Sequence, residues 1–258
     1  MKPRIVFLHI PKTAGTTLME RYRHNDNFCA IDYGEPVTDN TDVIFGHSTE
    51  FRESARPCVY VTALRDPVDR LMSQYNFVKT QLYYMNGSVE LDFYSWFINR
   101  DQFRPMAHLT MYDHLNMANL HDGTRVWKYR NMYSNKILHW DGEKTVIDWD
   151  YRNRFNDIKR QIDQENLQWF SENTDPKISH YIFTHQDIIS EFEKICKIND
   201  INFNSIKDIT RTNETSVTMK FQGIEYTRFE ELNEQNKQLV HDELEYEIKF
   251  YKDKNDKI

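Results

Sequence analysis

Residues 4–22 of the chain read RIVFLHIPKTAGTTLMERY. The compact apolar run at 4–8 is typical of a buried parallel strand. A turn of small residues follows at 11–17, and residues 18–22 suit a helix. This order of strand, small-residue turn and helix predicts the beginning of an α/β fold.

Further strands are predicted along the chain by short apolar runs that are rich in β-branched residues. Residues 42–46 end at a glycine, residues 58–64 read CVYVTAL, and residues 178–184 read ISHYIFT. Residues 144–148 are a further candidate strand. These runs alternate with helical segments, so we expect a mostly parallel sheet with right-handed crossovers.

A long helix is predicted over residues 67–84 by apolar residues at helical spacing. Asp66 suits the N-cap position and Pro67 the first helical position. We also predict helices at 155–170, 186–197 and 228–251, with short helices within 91–120. Residues 204–224 are predicted to be irregular and residues 252–258 to form a frayed, charged tail.

The predicted fold class is therefore α/β, a three-layer arrangement with a mostly parallel central sheet flanked by helices. The chain shows no internal repeat or linker, so we expect residues 1–258 to form one domain. Ligands of such sheets bind beyond the carboxyl ends of the strands. Three segments rich in polar side chains follow three predicted strands, at 10–17, 46–50 and 65–73.

Composition limits the classes of function. Of the 258 residues, 39% are hydrophobic, which is enough to bury a sizeable core. The net charge of −7 disfavours a general nucleic-acid binder, which usually has a basic excess. The three cysteines have no metal-site or disulfide spacing and are interpreted as reduced, partly buried thiols. We find no signal peptide or membrane span and expect a soluble, cytoplasmic protein.

The turn at 11–17 has the chemistry of an anion site. A small-residue turn that enters a helix presents several backbone N–H groups together with the positive end of the helix dipole. Lys12 adds a cation, and Thr13, Thr16 and Thr17 add hydroxyl donors. An ordinary strand-to-helix turn is an equally good interpretation from physics alone. The turn is not a Walker A sequence, because its lysine precedes the glycine.

Two motifs resemble those of a known enzyme family. Residues 9–18, HIPKTAGTTL, are similar to the 5′-phosphosulfate loop of carbohydrate sulfotransferases related to heparan sulfate 2-O-sulfotransferase. Residues 65–75, RDPVDRLMSQY, resemble the 3′-phosphate motif of the same enzymes. The motifs occur in the order that the family has, and the resemblance covers about residues 4–80. It implies a P-loop-like version of the three-layer fold.

The resemblance implies an enzyme that moves a sulfuryl group from 3′-phosphoadenosine 5′-phosphosulfate (PAPS) to a hydroxyl group. Lys12 would contact the oxygen that bridges sulfate and phosphate, where negative charge grows during transfer. Arg65 and Ser73 would hold the 3′-phosphate, although a salt bridge from Arg65 to a neighbouring aspartate is the alternative. The residues implied for the 5′-phosphate are Pro11, Thr13, Ala14, Gly15, Thr16 and Thr17.

His47 is the predicted general base, because a histidine titrates near neutral pH and this one follows a predicted strand end. It also resembles the Gly-His segment that carries the base in the family. A strand-end histidine with purely structural hydrogen bonds is the alternative. Glu50 is the reserve base or a partner that orients His47. No metal is needed in this scheme, and no His, Asp or Glu cluster has metal-site spacing.

Two later segments have a weaker relation to this site. Residues 211–215 resemble the late loop that closes over the nucleotide in related enzymes, which adds Arg211, Asn213 and Thr215 to the predicted nucleotide contacts. A plain surface loop explains them equally well. Residues 125–136 mix cations with aromatic side chains and could line a groove for an anionic or sugar acceptor, but a solvated, partly packed segment is favoured.

Two other functions remain open at the level of sequence. One is a P-loop-type kinase, which would require Mg²⁺ and the Walker A lysine that the chain lacks. The other is a catalytically silent nucleotide-binding or scaffold protein. The predicted partner is a hydroxyl-bearing acceptor, with a sugar or glycan favoured, and neither a nucleic acid nor a membrane span is expected. The oligomeric state is not predicted.

Overall fold

The computed structural model describes most of the two ends of the chain and short parts of its middle. The described residues are 2–46, 56–87, 89, 91–98, 138–140, 145–147, 178–184, 186–204 and 215–255.

Seven strands lie in the described residues. They are β1 (Arg4–Leu8), β2 (Phe28–Ala30), β3 (Val43–Gly46), β4 (Cys58–Leu64), β5 (Leu138–Trp140), β6 (Thr145–Ile147) and β7 (Ile178–Thr184). Five of them form a parallel sheet in the order β2-β3-β1-β4-β7. The strands predicted at 4–8, 58–64 and 178–184 are confirmed, and β3 begins one residue later than predicted.

The other two strands form a separate hairpin. β5 and β6 pair antiparallel, so the strand predicted at 144–148 exists but does not join the central sheet. Sequence analysis missed β2, because a strand of only three residues carries too little pattern to be recognised.

Six α-helices lie in the described residues, with 3-10 helices at Ile31–Tyr33 and Phe229–Glu231. The α-helices are α1 (Gly15–Tyr22), α2 (Pro67–Asn86), α3 (Phe93–Ile98), α4 (Ile188–Ile198), α5 (Thr215–Gln222) and α6 (Glu234–Asn255). The predicted start of α2 is confirmed, since Asp66 Oδ1 accepts hydrogen bonds from the backbone N–H groups of Val68 and Asp69.

Several predictions need correction or lie outside the described residues. Residues 215–222 form a helix, not irregular chain, because Thr215 and Met219 are buried one turn apart and packing overrides weak helix propensity. The last helix begins at Glu234 and runs through Asn255, so residues 252–255 are not a frayed tail. The helix predicted at 155–170 and most of the segment 91–120 lie outside the described residues.

The parallel sheet is buried on both faces, as the predicted three-layer α/β fold requires. Alternate residues such as Phe7 and Val61 pack against α1 and α4 in one hydrophobic cluster. The intervening residues, such as Val6 and Tyr60, are also buried, so β1 and β4 are enclosed on both faces. A second cluster joins α2, α3 and α6 through their apolar faces.

All three cysteines are buried thiols that form no disulfide bond, as the sequence predicted. Burial raises the pKa of the Cys196 thiol to about 12, so this thiol stays protonated at neutral pH. None of the helices in the described part of the chain combines the length and the apolar character that a membrane span requires.

A buried ion pair connects the two longest helices. Arg70 of α2 lies 3.6 Å from Glu247 of α6, and only 6% and 1% of their side chains are exposed. Desolvation makes such a pair only a modest source of net stability, but losing one partner leaves the other charge buried.

We expect the Glu247→Ala variant to lose about 3 kcal/mol of unfolding free energy, because the Arg70 guanidinium then remains buried beside an apolar side chain. Urea-induced unfolding followed by circular dichroism measures this loss. The matched control is Glu245→Ala, an exposed position in the same helix, which should change stability by less than about 0.5 kcal/mol. Equal effects of the two substitutions would contradict the role of the ion pair.

Candidate functional site

The sheet has a topological switch point between β1 and β4. From β1 the chain continues to β2 on one side, whereas from β4 the next strand of the sheet is β7 on the other side. The carboxyl ends of two such strands form the crevice in which open α/β sheets bind ligands. Lys12 lies just beyond β1 and Arg65 directly beyond β4, so both predicted cations lie at this crevice.

The Lys12 loop, residues 9–14, has an unusual backbone. Lys12 and Ala14 have positive φ angles of 69° and 66°, a conformation that costs a residue with a side chain about 1 kcal/mol or more. The φ angle of Thr13 between them is not positive, so the sign of φ alternates along the loop. Alternation of this kind turns successive N–H groups toward a common concavity, which is how protein loops bind anions.

The side chains of the loop and of the first turn of α1 divide into two groups. Thr13 is fully buried, and its hydroxyl donates to the carbonyl oxygen of Ile10, so this hydroxyl stabilises the loop itself. Pro11, Thr16 and Thr17 are half-buried. No side chain caps α1 at Ala14, which leaves the positive end of the helix beside the loop.

Gly15 is required by close packing, not by its backbone angle. It is the first residue of α1, and a Cβ atom added there would lie 2.1 Å from Cδ2 of His9. The His9 ring is buried against Phe45, with ring centroids 4.9 Å apart, and its backbone N–H donates to the carbonyl oxygen of Gly46. The imidazole of His9 therefore fills the space between the strand ends and the start of α1.

Arg65 joins the ends of β1 and β4. Its Nη1 donates to the carbonyl oxygen of Lys12 at 3.3 Å, across the switch point. The neighbouring Asp66 uses Oδ1 to cap α2, as predicted. The half-buried guanidinium of Arg65 thus supports the strained Lys12 loop from the side.

The Lys12 ammonium reaches two later elements of the chain. Nζ lies 3.3 Å from Oγ1 of Thr215, the first residue of α5, and 4.4 Å from the centre of the Phe77 ring on α2. The hydrogen bond brings together two predicted site residues that are 203 positions apart in sequence. Sequence analysis missed Phe77, although its position four residues after Ser73 places both on one face of α2.

Ser73 is buried in the second turn of α2. Two buried neighbours on this helix hold the segment that follows α5, residues 224–228. Asn76 donates to the carbonyl oxygen of Thr227 and accepts from its N–H at 2.8 and 2.9 Å, and Lys79 Nζ donates to the carbonyl oxygen of Glu225 at 2.7 Å. The segment is thereby fixed along α2, and burial lowers the pKa of Lys79.

Two tyrosines share the electrostatic environment of Arg65. Burial raises the pKa of Tyr226, in the 224–228 segment, and the nearby charge of Arg65 partly opposes this rise. Burial also raises the pKa of Tyr251 on α6, with a further contribution from Asp66. Both phenols therefore remain neutral at physiological pH.

The predicted base and part of the late loop lie outside the described residues: His47, Glu50, Arg211 and Asn213. Gly46 is the last described residue before His47. It ends β3 beside β1, at the same edge of the sheet as the Lys12 loop. The cationic segment 125–136 also lies outside the described residues. The structure thus brings together Lys12, Arg65 and Thr215, and it adds Phe77 to them.

No family model matches the chain, and comparisons with curated proteins and with solved structures give no match.

We expect Gly15→Ala to destabilise the protein by about 1–3 kcal/mol, because the new methyl group overlaps the buried His9 ring. A second substitution, His9→Ala, should restore part of that loss in the Gly15→Ala background but should destabilise the wild type. Thermal and urea unfolding of the four proteins gives the coupling free energy. If the two losses simply add, the contact between His9 and Gly15 is not the reason for the glycine.

Proposed function

We propose that this chain is a sulfotransferase that uses PAPS as the sulfuryl donor and an alcohol, with a carbohydrate favoured, as the acceptor. The observation that carries the proposal is the position of Lys12 and Arg65 at one switch point, joined through the carbonyl oxygen of Lys12. The donor has a phosphosulfate at one end and a 3′-phosphate at the other, so its site needs two separate centres of positive charge.

The residues present fit such a ligand. The alternating backbone of the Lys12 loop and the uncapped start of α1 supply N–H groups for the 5′-phosphate. Arg65 has the planar fork of donors that suits a phosphate, and Ser73 lies in the second turn of α2. Thr215 contacts Lys12 from the far end of the chain, which supports the predicted contribution of the late loop.

PAPS supplies a sulfuryl group whose bond to the bridging phosphate oxygen breaks as the acceptor oxygen bonds to sulfur. Lys12 stabilises the negative charge that grows on that bridging oxygen. His47 takes the proton of the acceptor hydroxyl, with Glu50 as its orienting partner or substitute. Arg65 and Ser73 hold the 3′-phosphate and orient the nucleotide so that this displacement is in line.

The alternatives predict different ligands. A kinase of P-loop type would bind ATP with Mg²⁺ through a lysine that follows the last loop glycine, whereas Lys12 precedes Gly15. A catalytically silent nucleotide-binding protein would bind the nucleotide without transferring the sulfuryl group. Binding and transfer must therefore be measured separately.

The product nucleotide, 3′-phosphoadenosine 5′-phosphate, should stabilise the protein more than AMP, ADP or ATP do. At about 100 times its dissociation constant, a ligand adds about 2.7 kcal/mol, which corresponds to a rise in melting temperature of roughly 5–10 °C for a chain of this size. Differential scanning fluorimetry measures the shift. Equal shifts with all four nucleotides would reject a dedicated 3′-phosphate site.

The Arg65→Ala arm of the same experiment separates two roles of this side chain. If Arg65 binds the 3′-phosphate, the variant should lose at least about tenfold in affinity for 3′-phosphoadenosine 5′-phosphate but little for AMP. If Arg65 only supports the Lys12 loop, both affinities should fall together. Arg23→Ala, an exposed position after α1, is the matched control and should change neither affinity.

The His47→Ala variant should lose about 10²- to 10⁴-fold in transfer rate, since positioned proton transfer contributes that much. Radiolabelled PAPS, screened against sugars, simple alcohols and tyrosine peptides, measures transfer, and fluorimetry checks that nucleotide binding persists. His24→Ala, an exposed histidine, is the control. Full transfer by His47→Ala would assign the base elsewhere, with Glu50→Gln as the next variant to test.

A further inference from the structure

The aromatic ring of Phe77 lies under the ammonium of Lys12, with Nζ 4.4 Å from the ring centre. Phe77 is half-buried on α2, so its ring is held by the helix. Thr215 Oγ1 lies 3.3 Å from the same Nζ. The ammonium is thus held between two elements that the Lys12 loop does not include.

An aromatic face holds a cation in a way that suits an anion-binding lysine. The negative face of the ring attracts the ammonium but forms no ordinary hydrogen bond with it. A carboxylate in the same place would attract the ammonium more strongly, but it would cancel the positive charge and repel an anionic ligand. Phe77 therefore fixes the direction of the side chain without reducing its charge.

We propose that Phe77 is a positioning residue for Lys12, which it holds at the crevice between β1 and β4 through contact between the ring face and the ammonium. The part that Lys12 plays in chemistry rests on the proposed sulfuryl transfer, but the contact with Phe77 does not. Ser73 lies one helical turn before Phe77, so both side chains are on one face of α2. That face therefore carries the predicted contact with the 3′-phosphate, Ser73, and the residue that supports Lys12 at the phosphosulfate end of the donor, Phe77.

Acylation of Lys12 by isotopically labelled acetic anhydride tests the contact. The ring shields one side of the amine and favours its charged form, whereas acylation consumes the neutral amine, so the ring should slow the reaction. We expect Phe77→Leu to increase the rate at Lys12 by about two- to fivefold and Phe77→Tyr to leave it unchanged, because tyrosine keeps the ring face. Peptide mass spectrometry measures the rate relative to exposed Lys194.

The matched control is Phe203→Leu, a half-buried phenylalanine that packs on Tyr22 and Phe192 in the cluster formed with α1 and α4. This substitution should not alter the reactivity of Lys12. An unchanged rate in Phe77→Leu, or an equal increase in Phe77→Tyr, would overturn the proposal.

A measurement on the wild type keeps the test independent of how well the variants fold. The ring current of Phe77 should shift the Cε proton signals of Lys12 upfield of those of the other lysines in a proton–carbon NMR spectrum, with Lys12→Arg providing the assignment. Unshifted signals would overturn the proposal. Whether 3′-phosphoadenosine 5′-phosphate protects wild-type Lys12 from acylation tests the proposed function separately. If the nucleotide gives no protection while the NMR signals of Lys12 are shifted, only the donor site is rejected.

Discussion

The candidate site depends on the carboxyl ends of β1 and β4. The hydrogen bond from Arg65 Nη1 to the carbonyl oxygen of Lys12 joins the segments that follow these two strands. It fixes the end of β4 to the loop that follows β1, and it supports that loop at one of its two strained residues. The contacts of the Lys12 ammonium with Thr215 and with the ring of Phe77 depend on where that loop lies. A small shift of the Lys12 backbone would move its ammonium away from both partners.

Positive φ angles at Lys12 and Ala14 are unfavourable by themselves, so the surrounding structure must hold the loop in place. Thr13 supplies an internal hydrogen bond, and the buried ring of His9 packs directly on Gly15 at the start of α1. Packing of the ring allows no side chain at position 15. The small-residue turn of the sequence is therefore held by an internal hydrogen bond and by packing at Gly15.

Much of the sheet could be predicted from sequence, because buried parallel strands are continuous apolar runs, as at 4–8 and 58–64. The helix cap at Asp66 follows from local chemistry. The position of Lys12 and Arg65 at one edge of the sheet follows from the topology. Helix α5 could not be predicted, because Thr215 and Met219 form one turn of a buried face only when α2 is present to cover them. Phe77 was missed for a related reason, since an aromatic residue at helical spacing is usually a core residue.

Helix α2 shows why the candidate site can be rigid although much of it lies in a loop. Its apolar face packs with α3 and α6, while its buried polar residues bind backbone elsewhere: Asn76 and Lys79 hold the 224–228 segment, and Arg70 pairs with Glu247. These contacts hold α2 in place from several sides. Ser73 and Phe77 therefore present fixed positions, and because the ring of Phe77 contacts the Lys12 ammonium, the same rigidity extends to the lysine at the strand end.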